Sequence, residues 1–240
     1  MPTFEIKNST ALVTGANRGI GRAYVEALVA GGASKVYAAA RNADSVADLV
    51  QQHPGLVEAL ELDITDAAEI AAATQKAADV NLLINNAGVA TAGPILGSED
   101  TDAMRFDVEV NLFGTTNMLR AFAPVITANR GAIVILNSVV SFTNFPIFGG
   151  YSVSKAALES VTSGVRQELE PAGVLVVGVY PGPIETDMSR PLDMEKEPPA
   201  VVPAETFAAL AAGRTHVLPD KYSKDFVRDF AREQSLAVAV

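Results

Sequence analysis

Thr14-Gly15-Ala16-Asn17-Arg18-Gly19-Ile20-Gly21 runs on from a short apolar stretch, Ala11–Thr14, into Gly19 to Ala30, where small and apolar residues recur at helical spacing. Glycine at 15, 19 and 21 allows a sharp turn, a close approach of backbone to a ligand, and tight packing of the helix on the strand. The N–H groups that open such a helix have no partner within it and suit a phosphate. The spacing is G-x-x-x-G-x-G rather than the G-x-G-x-x-G dinucleotide fingerprint, and no Gly-Lys-Ser/Thr follows, which argues against a P-loop NTPase. Three glycines alone make no more than a tight turn. Their place after the first strand of an alternating β/α chain favours the phosphate reading.

That alternation continues along the chain. Short apolar runs predict strands at Ala11–Thr14, Lys35–Ala40, Val57–Leu62, Asn81–Ile84, Ala132–Asn137, Val174–Tyr180 and Thr215–Leu218, with helices between them. The fold class expected is α/β, a doubly wound parallel sheet of about seven strands with helices on both faces. Gly31-Gly32 is a C-terminal stop for the first helix, and Thr65 or Asp66 can cap the one beginning at Ala67. Glu99 to Asn129 is long enough for two helices, or for one broken near Pro124. No repeat or linker divides the chain, so one domain over 1–240 is expected. Pro183, Pro191, Pro198 and Pro199, mixed with charge, mark residues 183–203 as a substrate flap.

Composition narrows the function classes. At 240 residues and 49% hydrophobic, the chain can build a deep core and is not a disordered one. The absence of cysteine excludes disulfides, thiolate nucleophiles and Cys-ligated metals. His53 and His216, the two histidines, cannot make a histidine metal site, so no metal is expected. Eighteen basic against 28 acidic residues, a formal charge of −10, oppose binding to nucleic acid or an anionic membrane. Met1 to Thr10 has no apolar core of a signal peptide, which makes the cytoplasm the default address. Residues 131–154 carry no charge, but their apolar run, Ile133 to Leu136, is too short to span a bilayer.

The second strand ends Ala38-Ala39-Ala40-Arg41-Asn42. A free ribose 2′-OH usually meets a carboxylate there, whereas a 2′-phosphate needs positive charge and no nearby acid. Arg41, with Arg18 from the glycine loop, fits the phosphate, and the pair favours NADP(H). Asp63, closing the third strand beside Ile64, either accepts a hydrogen bond from an adenine amino group or serves as a cap with Thr65.

Tyr151 and Lys155 are four residues apart on one face of an amphipathic helix. A phenol of pKa near 10 is a poor acid–base catalyst at neutral pH, and drawing it to about 7 takes roughly 4 kcal/mol. A neighbouring ammonium works in that direction. Ser138, thirteen residues before Tyr151, closes the fifth strand where strand ends line a ligand crevice. Tyr-x-x-x-Lys is weak evidence alone; with Ser138, downstream of the glycine loop, it is strong.

With these residues in order, the chain resembles the short-chain dehydrogenase/reductase family, single-domain branch, along nearly its whole length. The resemblance rests on Thr14 to Gly21, Asp63, Asn85-Asn86-Ala87-Gly88, Asn111, Ser138, Tyr151-Ser152-Val153-Ser154-Lys155 and Pro181-Gly182-Pro183-Ile184-Glu185-Thr186. It implies a Rossmann fold and a catalytic tetrad of Asn111, Ser138, Tyr151 and Lys155. Tyr151 would be the acid in carbonyl reduction and the base in alcohol oxidation. Lys155 would hold the nicotinamide ribose and lower the phenol pKa, Ser138 would orient the carbonyl, and Asn111 would anchor a water linking Lys155 to solvent. Gly15, Asn17, Arg18, Gly19, Ile20, Gly21, Arg41, Asp63 and Ile64 would surround the rest of the cofactor. Asn86, Ala87 and Gly88 would meet it through the backbone, and Pro181, Gly182, Ile184 and Thr186 near the carboxamide. Tyr180 stands where the family often has Asn, which would make that wall of the pocket bulkier.

Val139, Val140, Phe142, Phe145, Pro146, Ile147 and Phe148, with Ile184, Met188 and Leu192 of the flap, either line an apolar pocket or serve as core and subunit contacts. The activity expected is NADP(H)-dependent hydride transfer to a ketone or aldehyde, or from a secondary alcohol, as a carbonyl reductase on hydrophobic or aryl substrates. A catalytically idle NADP(H) sensor is the alternative, and an intact tetrad argues against it. Extended relatives that act as epimerases need a larger C-terminal part than the roughly sixty residues after Gly182. The resemblance also implies a homodimer or homotetramer, with residues 100–129 and 151–170 at the dimer face.

Overall fold

The computed structural model describes residues 2–97 and 100–238, with side chains as far as Arg232. Expectations resting on Met1 and Glu99 fall outside the described residues. The elements follow as β1 (Thr10–Thr14), α1 (Gly19–Ala30), β2 (Lys35–Ala40), α2 (Ala47–Gln52), β3 (Val57–Glu61), α3 (Ala67–Lys76), β4 (Leu82–Asn85), α4 (Asp102–Val108), α5 (Thr115–Ala128), β5 (Ala132–Leu136), α6 (Gly149–Leu169), β6 (Leu175–Val179), α7 (Val201–Ala211), β7 (His216–Val217) and α8 (Lys221–Val238). Seven parallel strands form one sheet in the order β3-β2-β1-β4-β5-β6-β7. The sheet is the doubly wound α/β arrangement of the Rossmann type.

The strands read as continuous apolar runs because helices cover both faces. Alternate residues serve opposite cores. Ala11 and Val13 of β1 pack with Tyr24, Val25 and Leu28 of α1 and with Val202 and Leu210 of α7. Leu12 faces the other way, into a core with Met118, Phe122 and Ile126 of α5 and Leu158 of α6. From β1 the strand order runs outward to β2 and β3 on one side and to β4 through β7 on the other, and such a switch point opens a crevice at the strand C-termini. The candidate site residues follow those strand ends.

Helix ends sharpen the sequence reading. Gly31 N–H returns to Ala27 O at 2.9 Å and Gly32 takes φ +81°, closing α1 where the glycine pair stands. Asp66, not Thr65, caps α3, its carboxylate accepting from Ala68 N and Glu69 N. Of the two expectations for this stretch, two helices hold, as α4 and α5, and α5 continues through Pro124 without a break. A proline inside a helix costs about 3 kcal/mol, and the burial of Met118, Leu119, Phe122 and Ile126 outweighs it. The interruption falls earlier, in a π turn at Glu109–Gly114 that carries Asn111. Residues 201–203 belong to the first turn of α7. No described helix is long and apolar enough to cross a membrane.

Candidate active site

The glycine loop is held open by its neighbours. Thr14 Oγ1 accepts from Asn86 N and Ala87 N, each at 3.0 Å, while Asn86 Nδ2 donates to Thr14 O at 2.9 Å and to Gly15 O at 3.2 Å. Those N–H groups are thereby engaged, so the carbonyl side of the Asn86-Ala87-Gly88 turn is the part that can face a ligand. Gly15 has φ +65°, and a Cβ on Gly21 would stand 2.1 Å from Gly15 O. Arg18, Asn17 and Ile20 flank the start of α1, which has no side-chain cap and no acid in its first turn. Arg18 and Arg41 are both exposed. Arg18 Nη1 lies 3.3 Å from Asp187 in the flap, a carboxylate that Arg190 also holds. Asp63 accepts from Thr65 N at 2.9 Å and Thr65 Oγ1 at 2.7 Å, which, with the Arg41 charge, keeps its carboxyl below the usual range. Asp63 thus braces the turn after β3, while Ile64 is buried beneath Gly114.

Ser138, Tyr151 and Lys155 come together beyond β5. Lys155 Nζ stands 5.8 Å from the centre of the Tyr151 ring and donates to Leu136 O at 2.6 Å. Burial lowers the Lys155 pKa to about 8. Burial pushes the Tyr151 phenol up to about 12, against a hydrogen bond with Ser138, and the charge of Asp107 adds to the rise. Ser138 Oγ also lies 3.3 Å from Pro181 O, joining β5 to the Pro181-Gly182 turn. Asn111 Nδ2 donates to Val89 O at 2.8 Å and Ser154 Oγ at 2.9 Å, and its Oδ1 accepts from Val89 N at 2.8 Å. Its amide thus ties the Gly88-Val89 turn to α6. Ile184 is buried and bridged to Glu197, and Thr186 N donates to Ser189 Oγ at 3.3 Å.

Several side chains do other work than the sequence suggested. Tyr180 does not wall the pocket: it is fully buried, donates to Glu159 Oε2 at 2.6 Å, and stacks on His216. Gly178 makes this possible, because a Cβ there would fall 2.4 Å from the Tyr180 hydroxyl. Phe142 packs on Tyr180 and Phe230, and Phe145 on Phe226, so both are core contacts of α8. Phe148 meets the Tyr151 ring edge-on at 6.2 Å. Ile95, Leu96 and Ile147 are exposed on two neighbouring loops joined by Gly93 N to Ile147 O, and Met188 and Met194 are exposed on the flap.

Sequence reasoning missed Asp220, which accepts from Gly182 N at 2.9 Å and from Ser223 N at 2.8 Å, clasping the Pro181-Gly182 turn to the start of α8. Asp-x-x-Ser before a helical run was its readable signal. Ser154 and Asp107 were also missed, and nothing in their local sequence marks them.

A model described as short chain dehydrogenase matches residues 9–197. The chain belongs to the short chain dehydrogenase family. Among solved structures of the family, a short chain dehydrogenase from Burkholderia cenocepacia J2315 in complex with NADP is 38% identical, with 98% of each chain covered and a TM-score of 0.92. The 3-oxoacyl-[acyl-carrier-protein] reductase FabG of Salmonella typhimurium is 32% identical over 85% of this chain and 82% of its own length. A short chain dehydrogenase of Pseudocercospora fijiensis is 33% identical over 79% of this chain, and the match spans 64% of that protein. The site fits a phosphate-bearing dinucleotide on its own chemistry: an uncapped helix start, a glycine cradle that a Cβ would fill, and exposed guanidinium groups. No His/Cys/Asp/Glu group suited to a metal ion occurs among the described residues.

Proposed function

We propose that this family member is an NADP(H)-dependent oxidoreductase interconverting a ketone or aldehyde and the corresponding alcohol, acting chiefly as a carbonyl reductase on hydrophobic or aryl substrates. The observation that carries the reading is the convergence of Ser138, Tyr151 and Lys155 in one partly buried site beside the glycine loop. When bound, NADP(H) supplies or takes up the hydride. Tyr151 gives its phenolic proton to the carbonyl oxygen in reduction and takes it back in oxidation, and Ser138 Oγ holds that oxygen. Lys155, which donates to Leu136 O, would hold the ribose hydroxyls of a bound cofactor, and Asn111 fixes the Gly88-Val89 turn against α6. The uncapped start of α1 receives the pyrophosphate, and Arg18 and Arg41 favour a 2′-phosphate, in keeping with the NADP complex of the Burkholderia cenocepacia relative.

Exposed Ile95, Leu96 and Ile147 on the two loops at the start of α6, and exposed Met188 and Met194 on the flap, support the apolar substrate. The same reading takes 1–240 as one domain with the flap at 183–200, ending where α7 begins, and assigns it to the cytoplasm. Phe106, Phe113 and Val153, exposed on α4, the π turn and α6, support a homodimer or homotetramer.

NADPH consumption with a panel of aryl and aliphatic ketones tests the reading. Tyr151→Phe is expected to lower turnover by about two orders of magnitude or more while cofactor affinity stays near wild type. Parallel loss of binding and turnover would make Tyr151 structural, and aliphatic polyols outperforming aryl ketones would remove the apolar substrate.

A further inference from the structure

Pro181 O and Gly182 N belong to one peptide group, and that group is held from both sides. Its carbonyl accepts from Val139 N at 3.1 Å and from Ser138 Oγ at 3.3 Å. Its N–H donates to Asp220 Oδ2 at 2.9 Å. In a planar trans peptide the C=O and N–H point in opposite directions, so an acceptor fixed on the N–H also fixes where the carbonyl points. Asp220 stands just before α8 and is only 2% exposed. Its other oxygen accepts from Ser223 N at 2.8 Å, and Ser223 Oγ donates to Asp220 O at 2.8 Å, which leaves the carboxylate little freedom. Glycine at 182 lets it come close: a Cβ there would stand 2.8 Å from Asp220 Oδ1 and 2.6 Å from Tyr222 Cδ1.

We infer that Asp220 is a positioning residue for the reaction: through the Pro181-Gly182 peptide it sets the carbonyl that anchors Ser138, and so the place from which the Ser138 hydroxyl meets the substrate oxygen. This rests on the reading of Ser138 as the group that holds that oxygen. A carboxylate on the N–H side strengthens the acceptor on the C=O side, because hydrogen bonds in a chain polarise one another. At 3.3 Å the Ser138 bond is still longer than the roughly 2.7–2.8 Å usual for a hydroxyl donor. The hydroxyl is therefore guided without being tied, and it can turn to a substrate. Val140 N, 3.4 Å from Ser138 Oγ, and the hydrogen bond between Ser138 and Tyr151 complete its surroundings.

Asp220 also caps α8, and the two duties fall on different atoms. The cap uses Oδ1, Ser223 N and the Ser223 hydroxyl, whereas the link toward Ser138 uses Oδ2 and Gly182 N. Substitution can therefore separate them. Asp220→Ser keeps an acceptor for Ser223 N on a shorter side chain and leaves Gly182 N without its partner. Ser223→Ala does the reverse: it removes the hydroxyl that donates to Asp220 O and accepts from Asp220 N at 3.3 Å, while the carboxylate keeps both of its N–H donors.

The test compares NADPH-dependent ketone reduction, thermal unfolding and amide hydrogen exchange at Gly182 in the full-length protein. Both variants are expected to unfold at a lower temperature than wild type, because each gives up buried hydrogen bonds. Only Asp220→Ser is expected to lose turnover, with kcat down about tenfold, KM changed by less than about threefold, and faster exchange at Gly182 N. Ser223→Ala should keep kcat within about twofold of wild type, its Gly182 contact being intact. In a Ser138→Ala background Asp220→Ser should cost less than about twofold in kcat, since the group it positions is gone. If Asp220→Ser does not fold, Asp220→Asn carries the comparison, and its kcat is expected to fall only as far as Gly182 loses protection. Equal losses of kcat in Asp220→Ser and Ser223→Ala, or a tenfold loss that persists without Ser138, would overturn the role of Asp220. A Ser138→Ala protein with wild-type kcat would instead overturn Ser138 as the holder of the substrate oxygen.

Discussion

Lys155 holds its ammonium away from water with a single carbonyl, Leu136 O, as partner, and its pKa of about 8 against an ordinary 10.5 measures that cost. In the pH range between those values the unfolded chain binds the proton and the folded chain does not, so stability rises with pH there. Lys155→Met is accordingly expected to be more stable than wild type by roughly 1–2 kcal/mol at neutral pH, the gap narrowing as pH passes through 8 toward 10.5, while activity is lost. Denaturant titrations at several pH values check this. A less stable variant at neutral pH would mean that Lys155 is a structural strut. Arg41 makes a different claim. Arg41→Asp should shift the NADPH-to-NADH ratio of kcat/KM toward NADH by about tenfold or more, because a carboxylate repels a 2′-phosphate and accepts from a ribose hydroxyl. An unchanged ratio would remove Arg41 from the phosphate site.

Two elements set the shape of the site, and they were unequally legible. The strand ends were readable because continuous apolar runs stop where Thr14, Asn85 and Ser138 begin the polar crevice. The π turn at Glu109–Gly114 was not, since Pro124 is the stronger local signal and only packing against the sheet keeps α5 whole through it. The aromatic stripe of α8 was equally hidden. Tyr222, Phe226 and Phe230 stack in sequence and press on Phe142 and Phe145 from a distant part of the chain. Removing the middle ring should loosen the loop between Ser138 and Tyr151. Phe226→Ala is expected to cost about 2 kcal/mol, below the loss at a fully buried ring because Phe226 is only partly buried, and to raise KM more than it lowers kcat. Stability at wild-type level with unchanged KM would detach α8 from the substrate loop.

At the scale of the molecule, the parallel sheet with its switch of strand order between β1 and β4 gathers residues from 15 to 186 at the C-terminal ends of its strands. That gathering is why the linear motifs Thr14–Gly21, Asn85–Gly88, Tyr151–Lys155 and Pro181–Thr186 could be read together, each being local to one strand end. Asp107, Ser154 and Asp220 escaped because their partners, Thr91, Asn111 and Gly182, are found only across elements. The exposed Phe113 belongs to this scale as well. Phe113→Arg is expected to reduce the mass in light scattering to that of one chain, and an unchanged mass would move the interface elsewhere. The central claim is hydride transfer to a carbonyl with Tyr151 as acid. Its most direct measurement uses NADPH deuterated at the reactive nicotinamide carbon, with mass analysis of the product alcohol. The account predicts one deuterium on the carbinol carbon from wild type, and from Tyr151→Phe product at a rate lower by about two orders of magnitude or more. Cofactor oxidation without deuterium in the alcohol, or labelled product from Tyr151→Phe at the wild-type rate, would contradict it.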